Sequence, residues 1–134
     1  MSNLTVFSEY AAAFEETLKD DNWQRLEKYF SEESSYAPGD GSIGEGLAGT
    51  IQALRGSVEL LERKTDSREL IGQPEVEETG DTITLKFSLR YTKSGMPDLN
   101  MVGTEIIRYK DGIIVQMEDV FEDAAAMIAW RGQL

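Results

Sequence analysis

The stretch KDGIIVQMEDVF, Lys110–Phe121, decides the fold because it combines a tight turn with an apolar strand. Asp111-Gly112 is a strong signal for a two-residue hairpin loop. Apolar residues then occupy every second position except one: Ile113, Val115, Met117 and Phe121. The exception is Asp119, which stands in the same row. Because successive strand residues point to opposite faces, the row predicts that Asp119 lies on the core side of the sheet.

Pairing across the turn gives a geometry that can be checked. If Asp111-Gly112 is the loop, Lys110 pairs with Ile113 and Asp119 faces Thr104 on the preceding strand. That side of the sheet is predicted to be largely apolar, with these members: Val102, Thr104, Ile106, Met117 and Phe121. A three-residue loop would instead bring Glu105 to the Asp119 side. We expect the two-residue loop.

Composition narrows the class of protein. The 134 residues suit one domain, 1–134, and 40% of them are hydrophobic, which is enough for a packed core. The net charge is −12, from 25 acidic and 13 basic residues. This excess argues against nucleic-acid partners and against an anionic membrane surface. No stretch approaches the roughly 18 apolar residues of a membrane span.

The chain has neither cysteine nor histidine. Thiol nucleophiles, thiolate metal sites and a Ser-His-Asp triad are therefore excluded. Acid–base chemistry has to come from Asp, Glu, Tyr, Lys or Arg. The glutamate runs lack the spacing of cation ligands, so we predict no metal site and no cofactor.

The order of predicted elements indicates an α+β fold. Helical spacing covers about 4–18, WQRLEKYF at 23–30 and about 47–63, and a Pro/Gly loop follows a short extended piece near Tyr36. Strands are predicted in 67–79, broken near 72–74, and at 82–91, 99–109 and 113–122, before a short C-terminal helix or ordered tail. Helices followed by a strand meander predict helices packed on one face of a curved antiparallel sheet.

This order of elements, together with DGIIVQMEDVF, resembles the nuclear-transport-factor-two-like superfamily over about 7–122. The segment is similar to the dGkIvehwDv segment of SnoaL-type polyketide cyclases. Asp119 falls on the aspartate that acts there as general acid/base. The resemblance implies a cone-shaped roll with a pocket between the helices and the concave sheet face. It also implies a homodimer, formed through the outer sheet face.

The chain departs from ketosteroid isomerase, which belongs to the same superfamily. LKDDNWQRLEKYF resembles the N-terminal helices of that enzyme. The catalytic tyrosine of the isomerase corresponds to Phe14 in this chain. Its catalytic base corresponds to about Ala37-Pro38, and its protonated aspartate to about Val102. All three functional groups are absent, so isomerisation by that set of residues is not expected.

These observations support two hypotheses from different classes. The first is a SnoaL-like enzyme that binds a small apolar molecule and moves protons in cyclisation, isomerisation or hydration. Asp119 would act as acid/base, with Tyr36 or Thr104 orienting. Other predicted pocket residues are Phe14, Trp23, Val102, Ile106, Met117 and Phe121. The second is a non-catalytic module, on the same scaffold, that binds a small ligand or a protein.

The N-terminal residues MSNLTVFSEY lack a basic region and a long apolar run. We therefore predict no signal peptide there and expect a cytoplasmic location.

Overall fold

The computed structural model describes residues 2–134, which form three α-helices and one mixed sheet. The α-helices are α1 (Asn3–Asp20), α2 (Gly46–Leu60) and α3 (Ala124–Arg131), and short 3-10 helices cover Trp23–Tyr29 and Glu62–Lys64. The strands are β1 (Phe30–Ala37), β2 (Gly44–Glu45), β3 (Ser67–Leu70), β4 (Glu75–Thr79), β5 (Thr82–Thr92), β6 (Leu99–Lys110) and β7 (Ile113–Phe121). Helices on a curved, unclosed sheet confirm the predicted α+β class.

The sheet has the strand order β2-β1-β7-β6-β5-β3, and β4 also pairs with β5. β1 runs parallel to β7, whereas the other pairs are antiparallel. The sequence indicated only a short extended piece near Tyr36, because FSEESSYA does not alternate cleanly. In the structure this segment is a full strand beside β7. That position places residues early in the chain next to the Asp119 strand.

Local signals fix both ends of α1. The side chain of Ser2 caps the helix by accepting a hydrogen bond from the Thr5 amide at 3.1 Å. Asp21 ends it in the left-handed conformation, with a φ of 60°. Between these ends, Phe7 and Tyr10 are buried against the sheet. Burial of these two rings holds α1 over the concave face.

A β-bulge in β7 sets the register between β6 and β7, and this register decides which residue lies opposite Asp119. Lys110 pairs with Ile113, so the two-residue loop was predicted correctly. After the next pair, Tyr109 and Ile114, the pairing shifts because Val115 is an extra residue on β7. Asp119 therefore faces Glu105, and the predicted pairing with Thr104 is wrong. Thr104 pairs with Val120 instead.

The bulge also decides which residues of β6 face the helices. Val102, Thr104 and Ile106 turn to the outer face, since the buried side of β6 carries the odd-numbered positions. The prediction that these three residues line the pocket is therefore wrong. The core proper lies on the concave side in two clusters, one under α1 and α2 and one beside α3. The candidate site lies between these clusters.

Candidate functional site

A cavity of about 400 Å³ lies between the helices and the concave sheet face. Most of its lining is apolar, and much of it is aromatic: Phe7, Tyr10, Phe14, Phe87, Tyr91 and Phe121. Leu70 and Val76 also line it and are about half exposed, so the mouth of the cavity lies at β3 and β4. A cavity of this size and lining suits a small, largely apolar molecule.

Sheet register brings two carboxyl groups into the cavity together. Leu85 on β5 pairs with Glu105 on β6, which pairs with Asp119 on β7. Directly opposed residues on one face have their Cβ atoms about 5 Å apart. All three residues line the cavity. The floor therefore changes from apolar to acidic between β5 and β7.

Tyr36 joins this pair from β1. β1 runs parallel to β7, and Tyr36 pairs with Met117, which precedes Asp119 by two residues on the same strand. Its hydroxyl donates a hydrogen bond of 2.5 Å to Oδ2 of Asp119. The Tyr36 side chain is otherwise buried and also lines the cavity. A phenol with this bond holds the carboxyl in one orientation.

Burial dominates the titration of these groups. It raises the pKa of Asp119, and it does so despite hydrogen bonds from Glu105 and Tyr36 that favour the charged form. The pKa of Glu105 rises further because of burial, the charge of Asp119 and the hydrogen bond between the two carboxyls. The same two charges, after burial, raise the pKa of Tyr36 and of Tyr10.

The second oxygen of Asp119 has an unusual environment. Oδ1 is buried and has no hydrogen bond from an amide, amine or hydroxyl group of residues 2–134. A carboxylate oxygen buried without a donor is costly. Glu105 is paired with Asp119 across β6 and β7, and its carboxyl can donate to Asp119 only when it carries a proton.

A second polar cluster lines another part of the cavity wall. The Tyr91 hydroxyl donates to Oε1 of Glu62 at 2.9 Å. Arg68 lies 3.5 Å from Oε2 of Glu62 and 3.6 Å from Oε1 of Glu15. Burial raises the pKa of Glu62, although the Arg68 charge acts in the opposite direction. Glu62 thus has a cationic neighbour, although its Oε2, like Oδ1 of Asp119, is buried without a hydrogen bond within residues 2–134.

α3 is tied to the Pro/Gly loop by a partly buried ion pair. Arg131 lines the cavity and lies 3.1 Å from Asp40, with side-chain exposures of 17% and 13%. Asp40 also accepts hydrogen bonds from Ser42, as a turn aspartate does. Burial raises the pKa of Asp40, but its bonds to Ser42 and Arg131 outweigh burial and lower it. The pair holds α3 against the loop.

The structure separates the predicted site residues into three groups. Asp119, Tyr36, Phe14 and Phe121 line the cavity together. Trp23 and Met117 are buried in the core outside the lining, and the Trp23 indole donates to Asp21 at 2.7 Å. Val102, Thr104 and Ile106 also lie outside it, for the register reason given above.

Sequence reasoning missed several polar residues of the lining. Glu105 could have been predicted from the sequence, since a shifted strand register would bring it to the side of Asp119. Glu62 and Arg68 gave no signal, because they lie in a charged stretch that resembles solvated surface. Arg131 follows the apolar part of the last helix, and the sequence around it also gave no sign that it lines a cavity.

Two kinds of feature are missing from the described residues. Within 2–134 no three acidic side chains come close enough to hold a metal ion together. No helix of that range has the length and apolarity needed to cross a membrane.

Comparison with known proteins identifies the fold. No family model and no curated protein matches the sequence. Solved structures do match, and many are NTF2-like, SnoaL-like or ketosteroid-isomerase-like proteins, so the predicted fold is confirmed. This chain has the NTF2-like α+β cone fold.

Three of these structures show the extent of the likeness. An NTF2-like protein of unknown function from Burkholderia pseudomallei K96243 is 20% identical, with a TM-score of 0.69 over 97% of this chain and 98% of that one. TerC, crystallised with polyporic acid, is 18% identical, with a TM-score of 0.66 over 92% and 96%. A protein with a ketosteroid isomerase-like fold from Catenulispora acidiphila, in complex with trimethylamine, is 15% identical, with a TM-score of 0.64 over 92% of each chain.

Proposed function

We propose that the protein binds a small, largely apolar carbonyl compound and catalyses proton transfer on it, with Asp119 as the base. The observation that carries the proposal is the position of the Asp119 carboxyl. It lies in the wall of an aromatic cavity and is held there by the Tyr36 hydroxyl at 2.5 Å. Solved structures of the same fold hold small molecules, which supports a ligand-binding use of this cavity.

The chemistry follows from the surroundings of the carboxylate. A desolvated carboxylate is a stronger base than one in water, and burial raises the pKa of Asp119. A base of that strength beside an apolar pocket can remove a proton next to a carbonyl group. Tyr36 is the positioning residue, because its hydrogen bond to Oδ2 fixes the orientation of the Asp119 carboxyl in the cavity wall. Thr104 does not orient Asp119, because it pairs with Val120 and its side chain lies on the outer face of the sheet.

The outer sheet face supports the expected homodimer. Val102 and Val120 are 44% and 51% exposed, and each belongs to the face turned away from the helices. Neighbouring exposed apolar side chains on a sheet favour a partner surface. Sedimentation of the purified protein tests this part of the proposal.

Hydrogen–deuterium exchange tests the catalytic proposal. The probe is 2-tetralone, an apolar ketone with acidic α-hydrogens, followed by NMR in deuterated buffer. Wild type and the surface control Glu122→Gln are expected to exchange the α-hydrogens at equal rates. Asp119→Asn is expected to bind the ketone and to lose exchange by ~10² or more, the size of a general-base effect. Binding without exchange in the wild type would favour the non-catalytic binding module instead.

A further inference from the structure

We propose that Glu105 is a second catalytic residue that holds a proton shared with Asp119, so that the resting cavity offers a carboxylate base and a carboxylic acid together. This inference rests on the function proposed above for the same site. It adds a residue that the sequence resemblance does not assign. The geometry that supports it is the direct pairing of Glu105 with Asp119 across β6 and β7, with both side chains in the cavity wall.

The first argument concerns the proton. Two carboxylates this close in an apolar wall cannot both be charged without a large repulsion, so one of them retains a proton. Oδ1 of Asp119 is buried and receives no hydrogen bond from an amide, amine or hydroxyl group of residues 2–134. A protonated Glu105 supplies the donor for Asp119. One proton thus removes both the repulsion and the missing hydrogen bond.

The second argument concerns which carboxyl is charged. Tyr36 donates to Asp119, and a hydrogen bond of this kind favours the ionised form of its acceptor. The bond between the carboxyls acts in the same sense: it lowers the pKa of Asp119 and raises that of Glu105. Asp119 is therefore the base and Glu105 the acid.

Other ionisable groups around the pair leave this assignment unchanged. Burial and then both carboxyls raise the pKa of Tyr10 from α1, and burial and then Glu105 raise the pKa of Tyr109 from β6, so both stay neutral phenols. Glu118, next to Asp119 on β7, raises the pKa of Asp119 by its charge. The Asp119 charge in turn raises the pKa of Glu62. No arginine or lysine is among the groups that shift the pKa of either carboxyl.

The pair allows a balanced reaction without a co-reactant. Asp119 takes a proton from the carbon next to the carbonyl, and the C–H electron pair forms the enolate. Glu105 gives its proton to a different atom of the same molecule, either a conjugated carbon or a second carbonyl oxygen as a C–C bond forms. The proton on Asp119 then passes to Glu105 and restores the resting state. The substrate class is therefore an enolisable ketone that is isomerised or closed by an aldol step.

The first test needs no substrate. Carboxyl NMR titrations are recorded for wild type, Glu105→Gln and the cavity control Glu62→Gln. Wild type and Glu62→Gln are expected to show two linked steps, each moving both carboxyl signals. In Glu105→Gln, Asp119 is expected to titrate in one step below the upper wild-type step. An Asp119 curve that is unchanged in Glu105→Gln would overturn the shared proton.

The second test separates acid from base. In deuterated buffer, Glu105→Gln is expected to retain most of the 2-tetralone exchange, because Asp119 and a hydrogen-bond donor remain. Conversion of cyclohex-3-en-1-one to its conjugated isomer is expected to fall by ~10² or more, since the N–H of an amide is too weak an acid to transfer its proton to carbon. An equal loss of both activities would overturn the acid role of Glu105. Linked titration with no turnover in the wild type would overturn the catalytic role and the proposed function, while leaving the shared proton in place.

Discussion

Tyr36 and Asp119 lie on neighbouring parallel strands and are joined by a hydrogen bond of 2.5 Å between the phenol and Oδ2. Eighty-three residues separate them in the chain, so the bond exists only when β1 is in place beside β7. Oδ1 of Asp119 is buried and receives no hydrogen bond from an amide, amine or hydroxyl group of residues 2–134. The basicity of Asp119 is therefore set by a residue that is distant in the sequence, Tyr36, as well as by burial.

Removal of the Tyr36 hydroxyl is expected to make Asp119 harder to ionise. The phenol favours the charged carboxylate, so Tyr36→Phe should raise the pKa of Asp119 by about one unit or more, given ~1.5–3 kcal/mol for a hydrogen bond to a charged group. The acidic limb of the pH profile for 2-tetralone exchange should move to higher pH by the same amount. A profile that coincides with that of the wild type would refute the positioning role.

Tyr109→Phe provides the matched control and a prediction of its own. The Tyr109 hydroxyl is buried and has no hydrogen-bond partner among residues 2–134. Since a buried unpaired hydroxyl costs ~1–3 kcal/mol, its removal should leave the free energy of unfolding unchanged or raise it by about 1 kcal/mol. Denaturant titration measures this. A loss of more than about 1 kcal/mol would show that the hydroxyl is bonded in solution.

Gly103 is expected to define the shape of the cavity floor. It pairs with Phe87 on one side and Phe121 on the other, and a Cβ there would lie 2.8 Å from atoms of both rings. Gly103→Ala should push these rings into the cavity, weaken ketone binding and cost ~1–3 kcal/mol of stability.

The control for that substitution is Gly56→Ala. Gly56 lies within α2, and no atom lies within 4 Å of the added methyl group. Helix propensity predicts a gain of ~0.5–1 kcal/mol with unchanged ketone binding. Calorimetry and ketone titration of both variants give the comparison. Equal ketone affinity in the two variants would argue against contact between the rings and the ligand.

Stability is expected to fall as the pH rises above 5. The pKa values of Asp119, Glu105 and Glu62 are raised in the folded state, so the folded chain binds more protons than the unfolded one. Their contribution is full below the ordinary carboxyl pKa and is lost as pH rises through the folded values. Asp40 has a lowered pKa, so its contribution is lost only at lower pH.

The measurement is the free energy of unfolding between pH 5 and 9 for wild type and Glu105→Gln. The variant should have the flatter profile, since one of the groups responsible is gone. A wild-type profile that rises over this range, or identical slopes in the two proteins, would contradict the raised pKa values.

The sequence predicted the parts of the fold that depend on local pattern. The strand predicted at 82–91 forms as β5, and Asp111-Gly112 forms the loop. Of the predicted inward row, Met117, Asp119 and Phe121 do face inward, whereas Ile113 is 40% exposed and Val115 is the extra residue of the bulge. Each of the correct predictions follows from residue spacing or turn chemistry within one segment.

The features that escaped prediction depend on distant parts of the chain. The bulge at Val115 has no turn residue to mark it, yet it exchanged Thr104 for Glu105 opposite Asp119. The position of β1 beside β7 gives Tyr36 its partner, and no pattern within FSEESSYA indicates that pairing. Arg131 reaches the cavity only because α3 packs against the Pro/Gly loop.

Titration of the Asp119 carboxyl by NMR tests the central claim most directly, with Asp119→Asn as the control that assigns the signal. A carboxyl in an apolar cavity wall is predicted to have a pKa above the ordinary aspartate value of about 3.9. That result would support a carboxyl able to shuttle protons near neutral pH. A pKa at or below 3.9 would identify Asp119 as a structural carboxylate and contradict the account.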